Sequence, residues 1–195
     1  MIRRSLIITG LLLALAVPLS ASQFIDMPFD QVAREAQYVV RGNVEQTWSA
    51  WDDAHEVIFT YATVRVNRHF AEAGPRTIVI REVGGTVDGY TMEAIGFPAI
   101  RAGEDVVLML SRWEDSSDYR IHAFNQGKYL VRNRGGVEVL IADPVKQGEE
   151  RLSGRERGVR VQSDESEIGL TIAEFASMVD DARTAGAAGH VRHQQ

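Results

Sequence analysis

The spacing of apolar residues changes twice along the chain. Over residues 26–36, DMPFDQVAREA, Phe29, Val32, Ala33 and Ala36 recur at three- and four-residue intervals, which predicts a short helix with one apolar face. Asp26 is placed to cap it, and Pro28 falls in the first turn, where a missing N–H costs no hydrogen bond. The period then drops to two. In YVVRGNVEQTW, residues 38–48, Tyr38, Val40, Val44 and Trp48 are expected on one face, and Arg41, Asn43 and Glu45 on the other. VIFTYATVRVNRHF, residues 57–70, is dense in β-branched and aromatic side chains. Its Ile58, Ala62, Val64, Val66 and Phe70 are expected to face one way, and Arg65, Asn67 and His69 the other. TIVIREV, residues 77–83, predicts a third strand. DVVLMLSRW, residues 105–113, has the unbroken apolar centre of a strand covered on both faces. YRIHAFNQGKYLV, residues 119–131, reads as the next strand, bent at Gly127, and VEVLIA follows the turn NRGG.

About six strands joined by short turns, with no long helix between them, speak against a doubly wound α/β fold. They fit a closed or nearly closed antiparallel barrel, in which each strand edge finds a partner. This barrel domain is expected over residues 23–142. Residues 143–169 are polar, charged and glycine-rich, and read as a flexible linker or long loop. A helix is expected over 170–185. Thr171 and Glu174 form a capping box, Leu170 and Phe175 a hydrophobic staple, and Ile172, Phe175, Ala176, Val179 and Ala182 an apolar stripe. The small residues of 186–195 predict a disordered tail.

The first 22 residues change the setting rather than the fold. Two arginines, an apolar run from Leu6 to Val17 and then small residues make a secretory signal peptide, cleaved after Ala21 or Ser22. The run is shorter than the roughly 20 residues that a spanning helix needs. No later apolar run has that length, so no membrane span is expected in the mature chain, which would be periplasmic or extracellular. The chain has no cysteine, which excludes a disulfide framework and a lipidated cysteine. Cleavage removes Arg3 and Arg4 and no acidic residue, leaving 19 basic against 27 acidic residues, a net charge of −8. That balance speaks against nucleic acid as a partner.

The most motif-like stretch is VGGTVDGYTMEAIGFPAIRAGE, residues 83–104. Its glycines, at 84, 85, 89 and 96, match neither the dinucleotide fingerprint nor the phosphate-binding loop, and a strand rather than a helix follows. They read as turn glycines in a long connection, and connections of this length often carry binding residues. The five histidines show no ligand spacing in the core, and HVRH at the end lies in the tail, so no metal and no cofactor is expected. His69 and His122 are assigned to outward strand faces. No serine stands in a nucleophile elbow, and Asp52-Asp53 and Glu149-Glu150 read as solvated acids. Trp48 and Trp51 flank a strand end, where exposed rings suit stacking against a ligand.

The segments YVVRGNV, IFTYATVRV, the Gly84-Gly85 pair, GFPAIRAGEDVVLML and NQGKYLV together resemble a group of exported bacterial proteins of unknown function. EAQYVVRGNV is also similar to the first strand of netrin-like and metalloprotease-inhibitor modules, which are OB-type barrels flanked by helices. Those inhibitors act through an N-terminal cysteine that this chain lacks, so the resemblance implies the barrel and not the inhibition. The expectation is therefore a mainly β, OB-like antiparallel barrel of five to six strands with a short N-terminal and a C-terminal helix. It would serve as an exported module binding a protein or another envelope or extracellular component. Its expected contact residues are Trp48, Trp51, His55, Gly84, Gly85, Tyr90, Glu93 and Phe97. Two other classes stand beside this one: a secreted hydrolase in which Glu82, Glu93 and Glu104 converge in a cleft, and a structural or adhesive subunit.

Overall fold

A computed structural model of the chain describes residues 27–94, 96–142 and 169–191. The expected signal peptide, Asp26, almost all of the expected linker and the last four residues lie outside the described residues. The fold is mainly β, with a large sheet and N-terminal and C-terminal helices. In chain order the elements are α1 (Phe29–Glu35), β1 (Tyr38–Trp51), β2 (Ile58–Ala71), β3 (Thr77–Val83), β4 (Gly85–Val87), β5 (Tyr90–Met92), β6 (Asp105–Arg112), β7 (Tyr119–Ile121), a 3-10 turn (Phe124–Gly127), β8 (Lys128–Arg134), β9 (Val137–Ala142), β10 (Leu170–Thr171) and α2 (Ile172–Val191). No described helix is long and apolar enough to cross a membrane.

Eight strands form one sheet in the order β1-β2-β3-β7-β6-β8-β9-β10, and β1 pairs in addition with β6. Among the described residues, β4 and β5 pair only with each other. The contact between β3 and β7 is parallel and rests on a single pair, Ile80 with Tyr119. A side chain reinforces this short seam: a carboxyl oxygen of Glu82 accepts the backbone N–H of Ile121.

β6 separates two apolar cores. Val106, Leu108 and Leu110 pack with Val40, Val44, Ala62, Val64, Ile78 and Ile80. The alternate residues Val107 and Met109 face α1 and α2, where they meet Val32, Ala33, Phe175 and Val179. Both faces are covered, as the uninterrupted apolar run requires. Phe175 is fully buried, and the rings of Phe29, Phe70 and Tyr129 contact it at 5.3–5.6 Å, all edge-on or nearly so. The capping box at the start of α2 is formed. The Glu174 carboxylate accepts the Thr171 N–H at 2.9 Å, and the Thr171 hydroxyl accepts the Glu174 N–H at 3.2 Å.

Several local expectations are corrected. Pro28 is the N-cap of α1 rather than part of its first turn, and its carbonyl accepts the N–H groups of Gln31 and Val32. Trp48 does not share a face with Val40 and Val44. The register of β1 on β2 shifts between Val44 and Gln46, and one extra residue in a period-two strand sends every later side chain to the opposite face. Phe70 leaves the first core for the second for the same reason, since β2 also skips residues opposite β1 near that end. The stretch 119–131 is two strands separated by the 3-10 turn, with Ala123 and Phe124 both at positive φ. A Cβ on Gly127 would collide with the His122 carbonyl, so this corner requires glycine. The 83–104 connection contains the β4–β5 hairpin, closed by Asp88-Gly89 at φ 51° and 83° as a two-residue primed turn demands. Helix α2 runs past Ala185 to Val191. Gly186 lies against the Arg34 side chain of α1, where a Cβ would come within 2.5 Å of Cδ, so this glycine serves helix packing.

Candidate functional site

The candidate surface builds up from the far end of the β1–β2 hairpin. Asp52 shapes the turn: its Oδ1 accepts the N–H groups of Glu56 and Val57 at 2.7 and 3.0 Å, and these two bonds hold its carboxyl below the usual range. His55 takes positive φ in this turn and lays its ring on Trp51, 6.0 Å between centroids and 11° from parallel. Tyr90, two-thirds exposed at the start of β5, meets Trp51 from the other strand pair at 5.9 Å. Gly84 and Gly85 let that second hairpin fold in closely. A Cβ on Gly85 would lie 2.5 Å from the Ser49 hydroxyl and 2.6 Å from that of Thr60. Thus Trp51, His55, Tyr90, Gly84 and Gly85 come together at one end of the molecule.

Trp48 belongs to a neighbouring group on the outer face. It stands opposite Tyr61 across the β1–β2 ladder, and the two rings stack at 5.3 Å and 9°. Tyr61 adjoins Phe59, and Phe59 meets Trp113 edge-on at 5.9 Å. The Arg81 guanidinium lies over both Phe59 and Trp113, at 4.9 and 4.5 Å, and that of Arg120 over Trp113 at 5.4 Å. Trp113 is fixed by its indole N–H, which donates to the Arg81 carbonyl at 2.8 Å, and Arg81 pairs with Asp115. The result is a continuous band of four aromatic rings and two guanidinium groups across β1, β2, β3, the β6–β7 connection and β7. Such rings offer flat apolar area with electrostatic complementarity at their faces and edges.

Phe59, Tyr61, Arg81, Trp113 and Arg120 were absent from the expected contact residues, although the alternation of Phe59 and Tyr61 with inward Ile58, Thr60 and Ala62 carried the signal. Glu93 and Phe97 sit elsewhere. Glu93 is exposed, and Phe97 packs edge-on against Phe124 beside the 3-10 turn. The three acids of the hydrolase reading lie in separate settings. Glu82 is buried on Ile121, and burial pushes its carboxyl up to about 8 against the opposing pull of the Ile121 N–H and Arg120. Glu104 takes the fully buried Lys128 ammonium at 2.8 Å, and Lys128 also donates to the Ala99 carbonyl, which pins the end of the long connection to β8.

His122 is not on an outward strand face. Its Nδ1 lies 2.8 Å from the Ser111 hydroxyl, and its Nε2 lies 3.7 Å from Glu35. Burial lowers the imidazole pKa, which favours the neutral ring, and the ring shares one hydrogen bond with the serine hydroxyl through Nδ1. The trio has the residue types of a nucleophile, base and carboxylate, but Ser111 is 9% exposed, and the contacts join α1 to the β6–β7 corner. Among the described residues no group of three metal-ligating side chains comes together. Compared with protein-family models, curated proteins and solved structures, the chain gives no match.

Proposed function

We propose that this chain is an exported binding module that presents the aromatic–guanidinium band and the adjoining hairpin end to a protein or another component of the cell envelope or extracellular space. The observation that carries the reading is where the band lies. The pairings run β1–β2–β3–β7–β6 and return from β6 to β1, which supports an OB-like five-stranded barrel. In such barrels the outer face of strands 2 and 3, with the loops joining strands 1 to 2 and 4 to 5, is where extended ligands bind. Phe59 and Tyr61 lie on the second strand of that cycle and Arg81 on the third. Trp51 and His55 flank the first of those loops, and Trp113 opens the other. The acidic balance of the chain, −6 before and −8 after removal of the signal peptide, favours a ligand other than nucleic acid.

The test is affinity capture by immobilised chain 23–195 from envelope and secreted fractions, with a Trp48→Ala/Tyr61→Ala double variant in parallel. The captured component is then purified and titrated against both forms. A component that binds the native chain and binds the variant at least ~10-fold more weakly is the expected result, equivalent to losing about 1.4 kcal/mol at a binding hot spot. A component indifferent to the double substitution, or none above background, overturns the reading.

A further inference from the structure

β1 is paired on both edges for only half its length. Its register with β6 covers Tyr38 to Asn43, and the last backbone contacts on that side are between Val44 and the Gly103–Glu104 corner. Beyond the shift between Val44 and Gln46, β1 continues to Trp51 with β2 as its sole ladder partner among the described residues. The direction of the free groups follows from the ladder. The Asp52 N–H donates to the Val57 carbonyl, so residues 46, 48 and 50 direct their backbone groups at β2. The N–H and C=O groups of Thr47, Ser49 and Trp51 therefore point away from it, along an open edge. β4 does not occupy that edge, since it pairs only with β5 and its Gly85 approaches the Ser49 hydroxyl.

Exposed edges of this kind are normally blunted by charged residues or proline. From Gln46 to Trp51, QTWSAW, there is neither. Trp48, 41% exposed, stands beside the edge with one ring face on Tyr61. The turn beyond it is acidic, with Asp53 and Glu56 exposed and Asp52 partly so, whereas Glu45 at the near end is paired with Arg65 at 3.2 Å. These features select the occupant. A second copy of the chain, paired antiparallel about Ser49, would set Gln46 against Asp52 and Glu45, with its cation Arg65 already engaged, against Asp53 of its mate, so it brings the acidic turn no free cation. A strand with basic residues at its ends meets the acidic turn with opposite charge.

We propose that the open edge of β1 from Thr47 to Trp51 is a strand-addition site for an extended peptide segment with uncharged, β-forming residues at its centre and lysine or arginine toward the end that reaches the Asp52–Glu56 turn. The inference rests on the binding-module reading and specifies its partner. Main-chain hydrogen bonds to Thr47, Ser49 and Trp51 supply the affinity, and the side chain of Trp48 and the acidic turn supply the selection.

The experiment is selection of random peptides of about seven residues, the length of a typical short strand, on the full chain. Selected peptides are then synthesised and titrated. Enrichment of basic-ended peptides is expected, with binding that weakens as salt is raised. Thr47→Pro removes an outward donor and no β2 ladder bond, and should weaken these peptides at least ~10-fold, while Thr47→Val leaves them unchanged. In the native chain, the amides of Thr47, Ser49 and Trp51 should gain protection from hydrogen exchange when a selected peptide binds, which decides the matter even where Thr47→Pro fails to fold. Failure to enrich peptides, enrichment without basic ends, or unprotected amides overturns the proposal. So does a solution dimer that Thr47→Pro dissociates. Peptides or glycans lost with Trp48→Ala/Tyr61→Ala but indifferent to Thr47→Pro would leave the aromatic band as the binding surface and remove the edge.

Discussion

The two halves of β1 obey different rules. From Tyr38 to Val44 the strand is paired on both edges, and Val39, Val40 and Val44 are at most 2% exposed. From Glu45 to Trp51 it is paired on one edge, Trp48 stands on the outer face between Gln46 and Ala50, and the polar Thr47 and Ser49 take the inner face ahead of Trp51. There the Ser49 and Thr60 hydroxyls lie 3.2 Å apart, Thr60 donates to the Gly84 carbonyl, and Glu82 lies beside Thr60 on β3. The change occurs at one β-bulge. The bulge re-aims Trp48 from the core to the surface, and the strand thereafter carries rings rather than a packed aliphatic layer. The lesson is a division of labour within one continuous strand: the first half holds the fold together and the second half presents a surface.

The largest effect that tests this division belongs to the first half's outer layer. Phe175→Ala removes a fully buried ring enclosed by Phe29, Phe70 and Tyr129, and should cost about 3–5 kcal/mol in urea unfolding. A loss well under that range would mean that the helices are not integral to the core, and the comparison between the halves would fail.

Next in size is Glu82. Its carboxyl is raised to about 8 from 4.5, so the folded chain keeps a proton that the unfolded chain releases between those values. The stabilisation from that bound proton is fully present below pH 4.5 and is lost as the pH rises through 8. The expected decline approaches ~1.4 kcal/mol per pH unit within the window. Glu82→Gln keeps an acceptor for Ile121 and cannot ionise, so its stability should be flatter with pH and exceed that of the native chain at the alkaline end. Parallel pH profiles for the two proteins would show that the β3–β7 seam does not depend on a protonated acid.

The legible part of the fold was the part with simple periodicity. β3 and β9 follow from short segments rich in valine and isoleucine next to turns, β6 from its unbroken run, and the start of α2 from Thr171 and Glu174. Trp48 was misplaced because a bulge leaves the composition of a strand unchanged while reversing its faces. The β4–β5 hairpin was readable in Asp88-Gly89 between two β-forming pairs, but strands of three residues give too few positions to establish a period. At the candidate site, Trp48, Trp51, His55 and Tyr90 stood out as local aromatic features. Arg81 and Trp113 did not, because their meeting depends on β7 lying beside β3, a long-range pairing that no local pattern encodes.

The smallest predicted stability change falls on the second half of β1 and sharpens the contrast with Phe175. Trp48→Ala removes a ring as large as any in the chain, yet that ring is 41% exposed and its one stacking partner is Tyr61. A stacked pair contributes about 0.5–1.5 kcal/mol beyond area burial, and much of the Trp48 area faces water in the folded state. The loss in urea unfolding should therefore be about 1–2 kcal/mol, below that of Phe175→Ala despite the larger side chain. Tyr61 should gain exposure in the variant, measurable as a shift of its ring resonances. If instead Trp48→Ala destabilised the chain as much as Phe175→Ala, the outer band would be a third core layer, and its exposed rings would be explained by folding rather than by binding.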